Sequence, residues 1–149
     1  MLKLKYLGGR KLSVKELICN TSKSYKVLIE KDILNYSGVH IKNFSNAKKV
    51  LVVTDDNVAG LYAARMVSHL KKHFHEVYLF VLKSGEESKS LDIAPKLYNY
   101  LADKFFDRQD LIISFGGGVV GDIAGFIAST YKRGIDFIQI PTSLLAQVD

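Results

Sequence analysis

The segment Gly116-Gly117-Gly118-Val119-Val120-Gly121-Asp122 has the residue types and spacing to hold an anion. Glycine lets backbone N–H groups close on a charged oxygen, and a helix starting at such a turn adds about half a positive charge at its N-terminus. The segment follows the apolar run Leu111–Phe115 and leads into a helical pattern. It therefore predicts a phosphate or pyrophosphate cradle. A tight strand-to-helix turn, with Gly121 and Gly125 easing close packing, would use the same residues. Three consecutive glycines, however, cost backbone entropy that a plain turn does not require.

Three other segments are small, polar and placed just after an apolar run: "TDDN" (54–57), "KSGEESK" (83–89) and "PTS" (141–143). In open α/β sheets, ligands gather beyond the carboxyl ends of the strands. The four segments thus predict one site. The string Gly116-x-Gly118-x-x-Gly121 also spells a dinucleotide-binding fingerprint. That fingerprint follows the first strand of its unit and has an acid about 20 residues on, at the tip of the next strand. Here the string follows a third strand, and Asp136 precedes "FIQI". The acid able to meet a ribose lies in "TDDN" instead.

The elements that must position these segments follow from periodicity. "KKVLVVT", "EVYLFVL", "DLIISF" and "DFIQI" read as strands, the first a continuous β-branched run of the kind covered on both faces. Between them, Val58, Leu61, Tyr62, Met66, Leu70 and Phe74 form one helical stripe. Leu91, Ala94, Tyr98, Leu101 and Phe105 form a second, in which Pro95 predicts either a start near Asp92 or a bend. A third helix spans Val119 to Tyr131. Thr142 or Ser143 caps a further helix carrying Leu144, Leu145 and Val148. Such β-α alternation predicts the α/β class: a Rossmann-like parallel sheet with flanking helices. The first 47 residues read differently, as short strands with one wet face in "LKLKYL", "LSVKELI" and "YKVLIE".

Composition narrows the partners. The net charge is +6, but the 21 Lys and Arg are spread among 15 acidic residues, with no nucleic-acid-binding signature. No apolar run approaches the ~18 residues of a membrane span, and the N-terminus lacks the features of a signal peptide. Neither nucleic acid nor membrane is expected. A single cysteine, Cys19, fits a reducing compartment, here read as the cytoplasm. His69 and His73 have a legal metal spacing, but they share their face with Arg65 and read as solvated. No metal site and no Ser-His-Asp or Cys-His arrangement is predicted.

Taken together, "GGGVVGDIAGFIASTYKRGIDFIQIPTSLLAQVD", "SGEESK" and "TDDN" resemble the corresponding segments of 3-dehydroquinate synthase. The resemblance runs from about Lys48 to Asp149 and is most specific from Gly116 onward. It implies an NAD-dependent, phosphate-eliminating cyclase acting on 3-deoxy-D-arabino-heptulosonate 7-phosphate. It also implies a homodimer and a divalent metal, zinc or cobalt, that holds the substrate. By position, Asp55 and Asn57 would face the adenosine ribose, with Glu86 and Lys89 on the ribose side of the cofactor. Ser84, Gly85, Glu87 and Ser88 belong to the same segment. Gly117, Gly118 and Val119 would cradle the pyrophosphate, followed by Val120 and Gly121, with Asp122 near the nicotinamide. Thr142, Ser143 and Leu145 would line the cleft, Ser143 replacing the second threonine of the usual "PTT". Asp149 would approach the substrate, and Arg133 would reach a substrate anion across the dimer.

The family's metal ligands and catalytic lysines would lie beyond Asp149. Residues 1–149 are therefore expected to form the NAD-binding first domain of a two-domain enzyme, with 1–47 as N-terminal strands and connection and 48–149 as βα units. Its α-helical C-terminal domain would be absent, and the chain alone inactive. Competing readings are a related sugar-phosphate cyclase, a polyol dehydrogenase domain, or a non-catalytic nucleotide-binding module.

Overall fold

In the computed structural model, which describes residues 15–20, 24–90 and 92–148, the alternating stretches near the start pair as two antiparallel strands. β1 (Lys15–Cys19) sets Lys15 opposite Ile29 and Cys19 opposite Tyr25 of β2 (Tyr25–Ile29). The expected strand "LKLKYL" lies outside the described residues. A 3-10 turn, Ile33–Tyr36, closes this first unit, and a second unit starts at Ser37.

The second unit opens with α1 (Ser37–Phe44) and then builds a four-stranded sheet. Its strands are β3 (Lys49–Asp55), β4 (Glu76–Leu82), β5 (Leu111–Gly116) and β6 (Asp136–Pro141). They are parallel and ordered β4-β3-β5-β6, with Val50 beside Val77 and Leu111, and Leu111 beside Asp136. The central strands explain the unbroken apolar runs: Val50 to Val53 and Leu111 to Ile113 are wholly buried. The chain leaves β3 toward β4, then returns to the other side of β3 as β5. That reversal opens a crevice between the carboxyl ends of β3 and β5, where α/β sheets hold ligands.

Helices cover both faces. The run α2 (Asp56–Val58), a π turn (Ala59–Ala63) and α3 (Ala64–Leu70) lies on the face of Phe115, whose ring meets Tyr62 edge-on at 6.4 Å. On the other face, α4 (Ile93–Asp103) and α5 (Gly118–Thr130) pack Leu97, Leu101, Ile123 and Ile127 against Leu51, Val53 and Ile112. α6 (Leu144–Val148) follows β6.

Two expected stripes are shifted. Met66, Leu70 and Phe74 are buried as expected, but Leu61 is 73% exposed and Tyr62 43%. The π turn inserts an extra residue per turn, so Ala63 rather than Tyr62 continues the buried row. In α4 the buried residues are Ala94, Leu97 and Leu101, with Tyr98 half-buried and stacked on Tyr131. Phe105 is 82% exposed because α4 ends at Asp103 and Phe105 turns left-handed (φ 54°), delivering Phe106 to the core in its place. Leu91 lies outside the described residues. Pro95 causes no bend: it is the third residue of α4, where no intrahelical acceptor awaits its missing N–H. Asp92 stands at the cap position without a side-chain cap bond; Ser90 Oγ accepts the Asp92 N–H at 3.1 Å.

Candidate functional site

The four polar segments sit on the carboxyl edge of the sheet, and the crevice between β3 and β5 gathers parts of three of them. A cleft of about 270 Å³ is lined by Asp55, Asn57, Ser84, Gly85, Glu86, Gly117, Gly118, Val119 and Val120, with Leu82, Lys83 and Leu145. Asp55 and Glu86 thus line the same cleft as the first turn of α5. The N-cap of that helix is Gly117, which has no side chain to offer. The first intrahelical bond runs from Gly121 N–H to Gly117 O at 3.1 Å, so the N–H groups ahead of it have no helical acceptor. The 13-residue helix therefore directs its positive end into the cleft.

The three glycines do different work. A Cβ on Gly116 would lie 2.6 Å from Val120 Cγ2, so this position is needed for the chain to turn tightly onto α5. A Cβ on Gly118 would meet nothing within 4 Å, and one on Gly117 would meet only Ser143 Oγ at 3.7 Å. Gly117 and Gly118 leave open the space an anion would fill. Further along, Gly121 and Gly125 ease packing on β6: a Cβ at Gly121 would come within 3.1 Å of Gln139 Nε2, and one at Gly125 within 3.8 Å of Phe137. The packing reading thus applies at Gly116, Gly121 and Gly125, while Gly117 and Gly118 stand beside open space.

The remaining expected residues divide. Lys89 Nζ pairs with Asp122 Oδ2 at 2.7 Å, both about half exposed. Asp122 and Gly121 border a second hollow of about 410 Å³ with Gly125, Phe126, Phe137 and Gln139. Ser88 is buried and donates its hydroxyl to Lys83 O, a tie within its own loop, while Glu87 is exposed outside the cleft lining. Thr142 donates its N–H to Gly116 O at 2.9 Å, fastening the end of β6 to the glycine turn. Ser143 is the cap of α6, its Oγ accepting Ala146 N–H at 3.3 Å. Asp149 lies outside the described residues. Arg133 is exposed at the opposite edge of the sheet, in a left-handed turn (φ 67°) between α5 and β6, and does not reach this cleft within the chain.

Asp56 was not among the expected residues. Asp55 Oδ1 caps α2 by accepting Val58 N–H at 2.9 Å, while Asp56 Oδ1 accepts Ser84 N–H at 3.0 Å. The Ser84 hydroxyl is the main influence holding the Asp56 carboxyl below the usual carboxylate range, with backbone N–H groups of Ser84 and Asn57 adding to it. Nothing local in "TDDN" distinguishes the two aspartates. Among the described residues no three His, Cys, Asp or Glu side chains gather closely enough to hold a metal. His69 and His73 instead flank Gly38 of α1, whose Cβ would lie 2.4 Å from His69 O and 2.6 Å from His73 Cδ2. No helix among the described residues is long and apolar enough to cross a membrane.

Fold and cleft together define a Rossmann-like α/β domain with a glycine-lined cleft at its switch point. Solved structures share this fold. A 2-deoxy-scyllo-inosose synthase complexed with carbaglucose-6-phosphate, NAD+ and Co2+ superposes with a TM-score of 0.80 at 24% identity, over 92% of this chain and 36% of that one. The 2-epi-5-epi-valiolone synthase of Streptomyces hygroscopicus subsp. jinggangensis 5008, with NAD+ and Zn2+ bound, gives 0.74 at 26% identity, over 88% of this chain and 36% of that one. Sequence relatives are nearer. Residues 79–149 match the family described as 3-dehydroquinate synthase N-terminal. The 3-dehydroquinate synthase of Clostridium botulinum is 47% identical over 137 residues, covering 91% of this chain and 39% of the relative. That of Enterococcus faecalis strain V583 is 46% identical over 126 residues, covering 85% and 35%. The chain is similar to the N-terminal portion of the 3-dehydroquinate synthases, and it spans little more than a third of those relatives' length.

Proposed function

We propose that this chain is the NAD-holding part of a 3-dehydroquinate synthase, a lyase of aromatic biosynthesis that converts 3-deoxy-D-arabino-heptulosonate 7-phosphate to 3-dehydroquinate and phosphate. The observation that carries the reading is the uncapped N-terminus of α5, set over open space at Gly118 and facing Asp55 and Glu86. A dinucleotide needs both ends of that arrangement: N–H donors for its pyrophosphate and acceptors for its ribose hydroxyls.

In this reading Gly117, Gly118 and Val119 hold the pyrophosphate, and Asp55, Asn57 and Glu86 accept from the adenosine side. Leu145 closes the apolar wall. Lys89, on the ribose side, pairs with Asp122, which stands toward the nicotinamide end, and Thr142 and Ser143 shape the turn beneath it. The chemistry that bound NAD supplies is transient oxidation of one substrate hydroxyl, reversed before product leaves. The divalent metal, zinc or cobalt, and the catalytic lysines belong to sequence beyond these 149 residues. Asp149 approaches the substrate, and Arg133 serves a partner's site in a homodimer. The enzyme works in the cytoplasm.

Titrating NAD into the purified chain by calorimetry tests the reading. Weak, saturable binding without turnover is expected. Phosphate release from the heptulosonate phosphate by the chain alone would overturn the assignment of the chemistry to residues outside it.

A further inference from the structure

We propose that Asp56 is a positioning residue for the cofactor cleft, its carboxylate pinning the loop 83–89 so that Gly85 and Glu86 face the first turn of α5. The proposal rests on the reading of the cleft as an NAD site and deepens it.

β4 ends at Leu82, so the N–H of Ser84 has no ladder partner and turns to Asp56 Oδ1 instead. The next residue, Gly85, takes φ 110°, a conformation that side chains rarely adopt, and a 3-10 turn over Glu86–Ser88 follows. Among the ties that hold this loop are Asp56 at its start, Ser88 Oγ to Lys83 O within it, and Lys89 to Asp122 at its end. The first fastens it to the β3 side of the crevice. Asp55 Oδ1 is turned to a different donor, Val58 N–H, and caps α2. Asp56 itself does not line the cleft, whereas Asp55, Asn57, Ser84, Gly85 and Glu86 do. It therefore acts through Ser84, by a hydrogen bond to an ionised acceptor, the stronger kind.

The test compares Asp56→Ala with Asp56→Asn, which keeps an acceptor oxygen, in the chain as it stands. Amide exchange at Ser84 is followed without nucleotide, and NAD affinity by titration. Expected for Asp56→Ala are about tenfold faster exchange at Ser84 and about fivefold weaker NAD binding, with the melting temperature little changed. Asp56→Asn should restore most of both, a rescue that a general loss of packing would not show. Unchanged exchange at Ser84 in Asp56→Ala overturns the tie, and faster exchange with unchanged NAD affinity overturns the positioning role. Failure of the unsubstituted chain to bind NAD overturns the cofactor reading and with it the positioning role, while the exchange arm still decides the tie.

Discussion

Lys89 Nζ lies 2.7 Å from Asp122 Oδ2, joining the loop after β4 to the second turn of α5 across the carboxyl end of β3. Both side chains are about half exposed, so the pair contributes at most about 1 kcal/mol to folding. Its consequence is for the loop 83–89, whose first residues line the cleft. Lys89→Met and Asp122→Asn should each leave the denaturation midpoint nearly unchanged while weakening NAD binding. The two effects should be non-additive in a double-mutant cycle. Additive losses would mean that each residue meets the ligand independently of the other.

Gly116 and Gly118 should respond oppositely to a side chain. Gly116→Ala drives a methyl onto Val120 and should cost about 1–3 kcal/mol of stability. At Gly118 an added Cβ meets nothing within 4 Å, so Gly118→Val should change stability by about 0.5 kcal/mol or less, yet abolish NAD binding. Urea denaturation beside calorimetric titration separates the two.

Thr54 Oγ1 is wholly buried near the end of β3 and has no hydrogen-bond partner among the described residues. Removing an unsatisfied hydroxyl while keeping the branched shape should stabilise. Thr54→Val is expected to gain up to about 1 kcal/mol, raising the melting temperature by about 2–4 °C. A lower melting temperature would show that the hydroxyl is satisfied in solution.

Burial pushes the Tyr131 phenol above its ordinary pKa, and its hydroxyl donates to Phe106 O at 3.1 Å. Burial raises Tyr100 in the same way. A raised folded pKa means stability is intact below the unfolded value of about 10 and is lost as pH rises through the folded one. Denaturation midpoints should therefore fall above about pH 10. Tyr131→Phe should be less stable at neutral pH by about 0.5–1.5 kcal/mol, but with a shallower alkaline decline. An equally steep decline would remove Tyr131 as its source.

α6 exposes Leu144 (77%), Leu145 (69%) and Val148 (74%) and buries only Ala146. A five-residue helix is too short to persist on its own propensity. Amides from Leu144 to Val148 should exchange near the rate of an unfolded chain, while Leu111 to Phe115 stay protected. Slow exchange through Val148 in the monomer would show that α6 needs no further apolar surface.

Much of this protein was legible in its sequence because the relevant forces are local. A β-branched run makes a strand covered on both faces, as Val50 to Val53 show. Adjacent glycines leave a helix N-terminus open whatever surrounds it, as Gly117 and Gly118 show. The four segments at strand ends could therefore be assigned to one edge. Other features depended on residues far apart along the chain. Strand order placed β3 beside β5 and so brought Asp55 opposite Gly118. It also set Lys89 against Asp122 and Ser84 against Asp56, partners 33 and 28 residues apart. Helical periodicity misjudged Leu61 and Phe105 because a π turn and a left-handed residue changed the phase. Identical neighbours such as Asp55 and Asp56, or Gly116 and Gly118, carry the same local propensity. Their different roles came from what the folded chain set beside each one: a donor, a side chain, or open space.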